Sequence, residues 1–184
     1  MRGSFTSTPL TLVLLIALNT VPETVYLKGT RVTPAGMPIQ VQLSSPTLGA
    51  PTSLDFVVTA GDPHHLEFTT QVLGTRNNEC SRAPAELRLY DANSNLTTAG
   101  ASGVDVALEG TPPSGGGMLE FFTSPGCAGT ATSTAQIPAG QSSVLVYLRP
   151  SGPGTYGVTA RTTLTVPTAS LQVDVSTMDP TALY

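Results

Sequence analysis

The chain has 184 residues, a formal net charge of −4 and a pI near 4.9, with 11% charged residues, 5% aromatics and no tryptophan. Its eight lysines and arginines are scattered and Lys28 is the one lysine, so no basic face that tracks phosphates can be assembled and nucleic-acid binding is excluded. An apolar content of 40% separates it from disordered acidic tails, and 28 Thr, 18 Gly and 16 Pro favour strands and turns over helices.

The first feature along the chain is an apolar run from Leu10 to Leu18, preceded by Arg2. It has the length of a secretion-signal core and is too short to cross a bilayer as a helix. The residues after it, Asn19 to Glu23, lack an Ala-x-Ala pattern, and no cysteine follows for lipid attachment. The same run also reads as a buried strand, and an internal comparison favours that reading. Phe5-Thr6-Ser7 matches Phe122-Thr123-Ser124, and Thr52 to Val58 matches Ala169 to Val175, both at an offset of 117 residues. Between them, Val25-Tyr26-Leu27-Lys28 matches Val146-Tyr147-Leu148-Arg149 at 121. Three matches in order make residues 1–60 a partial or divergent copy of a repeat. The alternative is a signal peptide over residues 1–20 followed by an N-terminal arm. Residues 61–63 are then a linker, 64–176 a complete domain and 177–184 a tail.

From His64 onward the alternation is regular. Leu66, Phe68 and Val72 fall on one face of a first strand, with Glu67 and Thr69 on the other. Ala85 to Tyr90 alternates with period two, which places Leu87 and Leu89 inward, and Val104 to Leu108 repeats the pattern. Met118–Phe122, Ser143–Arg149, Tyr156–Arg161 and Ser170–Val175 are further strands, separated by turn signals such as Ser124-Pro125-Gly126 and Pro138-Ala139-Gly140. Seven to eight short strands with no amphipathic helix predict an all-β, antiparallel β-sandwich, with any helix limited to a single turn.

Two cysteines permit one bridge, Cys80–Cys127, and both lie beside turn residues, where a cross-link displaces no core side chain. A disulfide implies an oxidising compartment. Metal binding is disfavoured by the cysteine spacing and by the adjacency of His64 and His65, since neighbours in a strand point to opposite faces.

Asp91, Asn93 and Asn95 form the first half of a calcium-loop pattern, but Leu96 and Ser102 stand where such a loop needs glycine and glutamate. Asx side chains capping their own turn account for the same residues, so no metal and no cofactor is expected. Catalysis has no residue set. There is no Gly-x-Ser-x-Gly elbow, His64 and His65 read as part of a solvated hinge beside Asp62 and Pro63, and Glu67, Glu86 and Asp105 face outward for solubility. Gly115-Gly116-Gly117 precedes a strand rather than a helix, so it reads as a flexible connection without a phosphate site.

Several stretches together resemble the immunoglobulin-like repeats of large bacterial surface and secreted proteins. They are Leu66 through Cys80, Ala85 to Asn93, Phe121 to Cys127 and Ile137 to Ser143. The chain is similar in particular to the cysteine-paired repeats of myxobacterial cell-surface proteins and lipoproteins. Gly154-Thr155-Tyr156-Gly157-Val158-Thr159-Ala160 also resembles the closing element of invasin-type domains. The turn after Tyr90 departs from that pattern, with Ser94 where such repeats carry glycine.

The resemblance implies an immunoglobulin-like sandwich, an extracellular or cell-surface location and a non-enzymatic role as spacer or adhesion module with a protein or cell-surface partner. The loops Asn93–Gly103 and Pro112–Gly117 are the first places to look for such a partner. The alternative is a carbohydrate- or peptide-binding accessory domain of a secreted enzyme, which the shortage of exposed aromatics ranks second. A third expectation is strand-exchange self-association through the N-terminal half, whose sheet edge would be unpaired.

Overall fold

Alternating apolar and polar residues mark strands such as Ala85–Tyr90 and Ala169–Ser176, and the chain divides into two units, residues 1–60 and 61–184. The computed structural model describes residues 11–15, 27–33, 37–45, 48–162 and 168–177.

Among the described residues the first unit has one sheet of three strands, β1 (Thr11–Leu15), β2 (Ile39–Ser45) and β3 (Leu48–Phe56), in the order β1-β2-β3. β1 runs parallel to β2, and β3 runs antiparallel to it. β1 takes up the middle of the apolar run, while Ile16 to Leu18 and the matches at Phe5–Ser7 and Val25-Tyr26 lie outside the described residues. Val41 is buried, but its cross-strand partner Leu54 is 49% exposed, and Phe56, opposite Ile39, is 38% exposed. Beyond the strands, Thr33 fastens Val58. Its N–H donates to the Val58 carbonyl at 3.1 Å, and its hydroxyl accepts from the Val58 N–H at 3.3 Å.

The second unit is a β-sandwich. One sheet has the order β4-β6-β10-β8, from His65–Phe68, Ala85–Tyr90, Ser143–Pro150 and Leu119–Phe122. The other has the order β5-β12-β11-β7-β9, from Val72–Arg76, Ala169–Ser176, Gly154–Thr162, Val104–Thr111 and Thr134–Ile137. Leaving aside the edge strands β5 and β9, seven strands remain in the ABED-over-CFG order of an immunoglobulin-like sandwich. A single 3₁₀ turn, Pro125–Cys127, is the one helical element among the described residues.

Period two places the core. Leu87 and Leu89 of β6, Val146 and Leu148 of β10 and Phe68 of β4 face Tyr156 and Val158 of β11 and Leu171 and Val173 of β12. Register supports the contact: Leu66 lies opposite Leu89, Phe68 opposite Leu87, and Ala85 opposite Val146. The Tyr156 ring is completely buried at the start of β11, and its hydroxyl donates to the Gly152 carbonyl at 3.0 Å. This is the tyrosine corner of immunoglobulin-like domains, formed where the chain passes between sheets.

The first strand corrects the expectation. Leu66 and Phe68 belong to β4, but the chain crosses to the other sheet between Thr69 and Gln71 and resumes as β5. The crossing reverses the facing of the chain, so Leu73 is buried and Val72 is 51% exposed. Glycine Gly117 corrects another. It has φ +120° and lies against the Tyr156 hydroxyl, where a Cβ would clash, so the Gly115–Gly117 stretch is packed onto the corner at its last residue. Met118 and Ser151 complete that fastening, with the Met118 N–H donating to Ser151 Oγ at 2.8 Å and the Ser151 N–H to the Met118 carbonyl at 2.9 Å.

Candidate functional site

Three constellations in the second unit contain the polar side chains singled out from the sequence. The first is built on Asp91, at the end of β6. It is 2% exposed, which for a carboxylate demands donors on every side. Oδ1 accepts the N–H groups of Asn93 at 2.8 Å and Asn95 at 2.9 Å, and Oδ2 accepts the Gly61 N–H at 2.9 Å. The Asn95 side-chain amide adds contacts at 3.2 and 3.0 Å. The Gly61 N–H is the foremost cause holding the Asp91 carboxyl well below the usual carboxylate range; the Asn95 amide and backbone follow, against an opposing effect of burial. Thr97 seals the arrangement, its hydroxyl donating to the Gly61 carbonyl at 2.7 Å.

This geometry makes Asp91 the anchor of an Asx turn. The turn positions Asn93 and Asn95 as donors toward the carboxylate rather than as ligands beside it, and a cation would have to displace those donors. Ser94, in the glycine position of the resemblance, has φ +60°. The turn therefore keeps the left-handed backbone that glycine would supply, at a steric cost to serine. Gly61, expected as linker, is held on both its N–H and its carbonyl.

The second constellation surrounds the cysteines. Cys80 and Cys127 are joined, with Cα atoms 5.7 Å apart, and no free cysteine remains. The bond links the β5–β6 connection to the 3₁₀ turn after β8. Next to it, Ser81 is buried and donates its N–H to the Leu148 carbonyl at 2.8 Å, while its hydroxyl accepts the Leu148 N–H at 3.1 Å. Asn77 and Asn78 donate their N–H groups to Ser176 and Pro150, one in each sheet. An open cleft of about 390 Å³ lies beside this loop, lined by Arg76, Glu79, Arg82 and Asp174 among others. Arg88, Arg149 and Arg161 pair with Glu86, Glu120 and Glu109, whereas Arg76 and Arg82 have no carboxylate within 4 Å among the described residues.

The third is a cluster of rings. His65, in β4 rather than in a hinge, stacks on Tyr90 with centroids 5.5 Å apart and meets His64 edge-on at 5.8 Å. Its Nε2 lies 3.2 Å from Glu67 Oε1. The His64 N–H is fixed to the Tyr90 carbonyl at 2.7 Å. Tyr26 and Tyr184 lie outside the described residues.

These groups do not converge. The loop after Asp91 enters β7 at Val104, and Pro112–Gly117 leaves it after Thr111, so an eight-residue strand of roughly 25 Å separates the two loops expected to bind a partner. No group of three or more metal-ligating side chains occurs among the described residues. No helix among them is long and apolar enough to cross a membrane. Sequence reasoning missed the reach of Asp91 to Gly61, the role of Thr97 and the cleft beside Arg76 and Arg82. The Asx pattern signalled the turn at Asp91 but not its bond to Gly61.

No family model and no curated protein matches the chain. Solved structures do. A β-glycosidase from Bacteroides vulgatus is similar over 75% of this chain and 17% of its own, at 11% identity and TM-score 0.45. Domains 4–9 of the surface layer protein SbsC are similar over 73% and 17%, at 13% identity and TM-score 0.44. A glycosyl hydrolase family 2 member from Bacteroides cellulosilyticus is similar over 69% and 16%, at 16% identity and TM-score 0.43. The chain thus spans less than a fifth of each of these proteins.

Proposed function

We propose that residues 64–176 form a non-enzymatic, extracellular immunoglobulin-like module that serves as a spacer or interaction domain of a bacterial surface protein. Residues 1–60 are a partial or divergent copy ahead of it, and 177–184 a tail. The observation that supports this reading is the use to which the buried polar groups are put. Ser81 and the Tyr156 hydroxyl each tie a connection to a strand, and Asp91 and Thr97 tie the connection after β6 to the one before β4. A module fastened in this way transmits position and resists proteolysis, and the disulfide suits an oxidising exterior.

The test is made on intact cells that produce the protein. An antibody raised against the protein should label the cells without permeabilisation, and the cysteines should resist thiol labelling until a reductant is supplied. Labelling only after permeabilisation together with two free thiols would overturn the extracellular reading.

The ring cluster of His64, His65 and Tyr90 favours a second reading, a carbohydrate-binding accessory domain. Retention on a polysaccharide, abolished by Tyr90→Ala, would promote it over the first.

A further inference from the structure

The two antiparallel hairpins β2–β3 and β11–β12 pair in the same register at one constant offset. Adding 117 to both members of the pairs Ile39–Phe56, Gln40–Asp55, Val41–Leu54, Gln42–Ser53 and Leu43–Thr52 gives five pairs of the second hairpin, Tyr156–Val173 through Ala160–Ala169. The sequence match at Thr52–Val58 carries the same offset but says nothing about strand pairing, so the register is an independent observation. Side chains agree as well. Val41 and Leu54 become Val158 and Leu171, and the pair Ile39–Phe56 becomes Tyr156–Val173, one aromatic and one aliphatic residue with their strands exchanged. Such an exchange conserves the volume of a core layer.

Burial does not agree. Leu171 is 3% exposed and Val173 0%, against 49% for Leu54 and 38% for Phe56. In the second unit β4 packs across β12, and β5 pairs with the outer edge of β12 in parallel. Among the described residues, β3 is the last strand of its sheet and nothing takes the place of β5. β1 flanks β2 where β7 flanks β11, but β1 is parallel and β7 antiparallel, so β1 is not the counterpart of β7. The exposed row is uncharged, and Asp55 lies on the opposite face with its Oδ1 3.4 Å from the Gln40 amide.

We infer that β2–β3 is the closing hairpin of an immunoglobulin-like repeat, and that its apolar face and open edge receive the first half of such a repeat. The occupant has the pattern of β4 to β7, and its last strand takes over from β1 the place beside β2 that β7 holds beside β11. An uncharged row like Leu66, Phe68, Leu87 and Leu89 covers Leu54 and Phe56, and a strand like β5 joins the outer edge of β3 in parallel. This rests on the partial-copy reading of residues 1–60, whereas the extracellular reading of residues 64–176 is decided by the cell-surface experiment above.

Hydrogen exchange of the full chain tests it. Amides of residues 39–58 should exchange at least about a hundredfold faster than those of 156–175. A chain with a second copy of residues 61–117 placed ahead of residue 1 brings β4 to β7 into the predicted register, and exchange at 39–58 should slow by a comparable factor. Ile39→Tyr with Phe56→Val, made in that extended chain, gives the hairpin the side chains that β4 to β7 already cover, which removes mispacking as a cause of failure. Three results overturn the inference: equal protection of both hairpins in the unextended chain, no slowing in the extended double variant, or a concentration-dependent dimer of the unextended chain that slows exchange at 39–58. The last would make a second copy of this chain the occupant.

Discussion

The hairpins β2–β3 and β11–β12 share a register and nearly share a sequence pattern, yet Leu171 is buried and Leu54 stands half in solvent. Local pattern and cross-strand pairing are therefore sufficient to shape a hairpin, but not to make it a core. Burial comes from the facing sheet, and with it most of the stabilisation, since two strands alone are marginal in water.

Reducing the disulfide is expected to have the largest effect on this contrast. Its 47-residue separation corresponds to about 4 kcal/mol on the chain-entropy model, so Cys80→Ala with Cys127→Ala should lower the unfolding free energy of the second unit by that amount, read by chemical denaturation. Exchange at residues 39–58, in a unit without cysteine, should be unchanged. Equal acceleration of both hairpins would show that the two units unfold as one.

Leu171→Ala is next, at about 2–5 kcal/mol, because it empties a filled core position. Leu54→Ala should cost less than about 0.5 kcal/mol, the range of an exposed site. Chemical denaturation of both variants measures the difference, and equal costs would mean that Leu54 is already covered. Tyr156→Phe removes the hydroxyl that holds Gly152 and should cost about 1 kcal/mol, read by the same denaturation.

Asp91 gives a pH signature. Its folded pKa is lowered, so its contribution is complete above the unfolded value near 4 and is lost as pH falls through the folded value. The Tm gap between the native chain and Asp91→Asn should be constant from pH 7 to about 5 and should narrow in stronger acid. The smallest effect is a gain. Ser94→Gly relieves a left-handed serine and should stabilise by up to about 1 kcal/mol in a thermal melt.

The strands that were legible in the sequence are those with strict alternation, such as Ala85–Tyr90 and Val104–Leu108, because one polar face and one apolar face leave a single way to pack. The division of the first strand was not, since the crossing at Thr69–Gln71 contains no glycine or proline. β9 was missed because four residues, with only Ala135 and Ile137 inward, carry too little pattern. The cysteine pair and the Asx turn could be read from residue types. That Asp91 reaches Gly61, thirty residues upstream, could not, because a tertiary bond leaves no periodic trace.

β5 and β12 lie side by side and parallel near the two ends of the sandwich. A pull applied between those ends, once it has passed β4, draws β5 and β12 in opposite directions along their shared ladder. The hydrogen bonds joining Val72–Arg76 to Gln172–Ser176 are then strained together in shear instead of parting one by one like a zipper. Behind that clamp, the bond between Cys80 and Cys127 limits how far the chain can lengthen when the clamp gives way, because the residues between them cannot uncoil under tension.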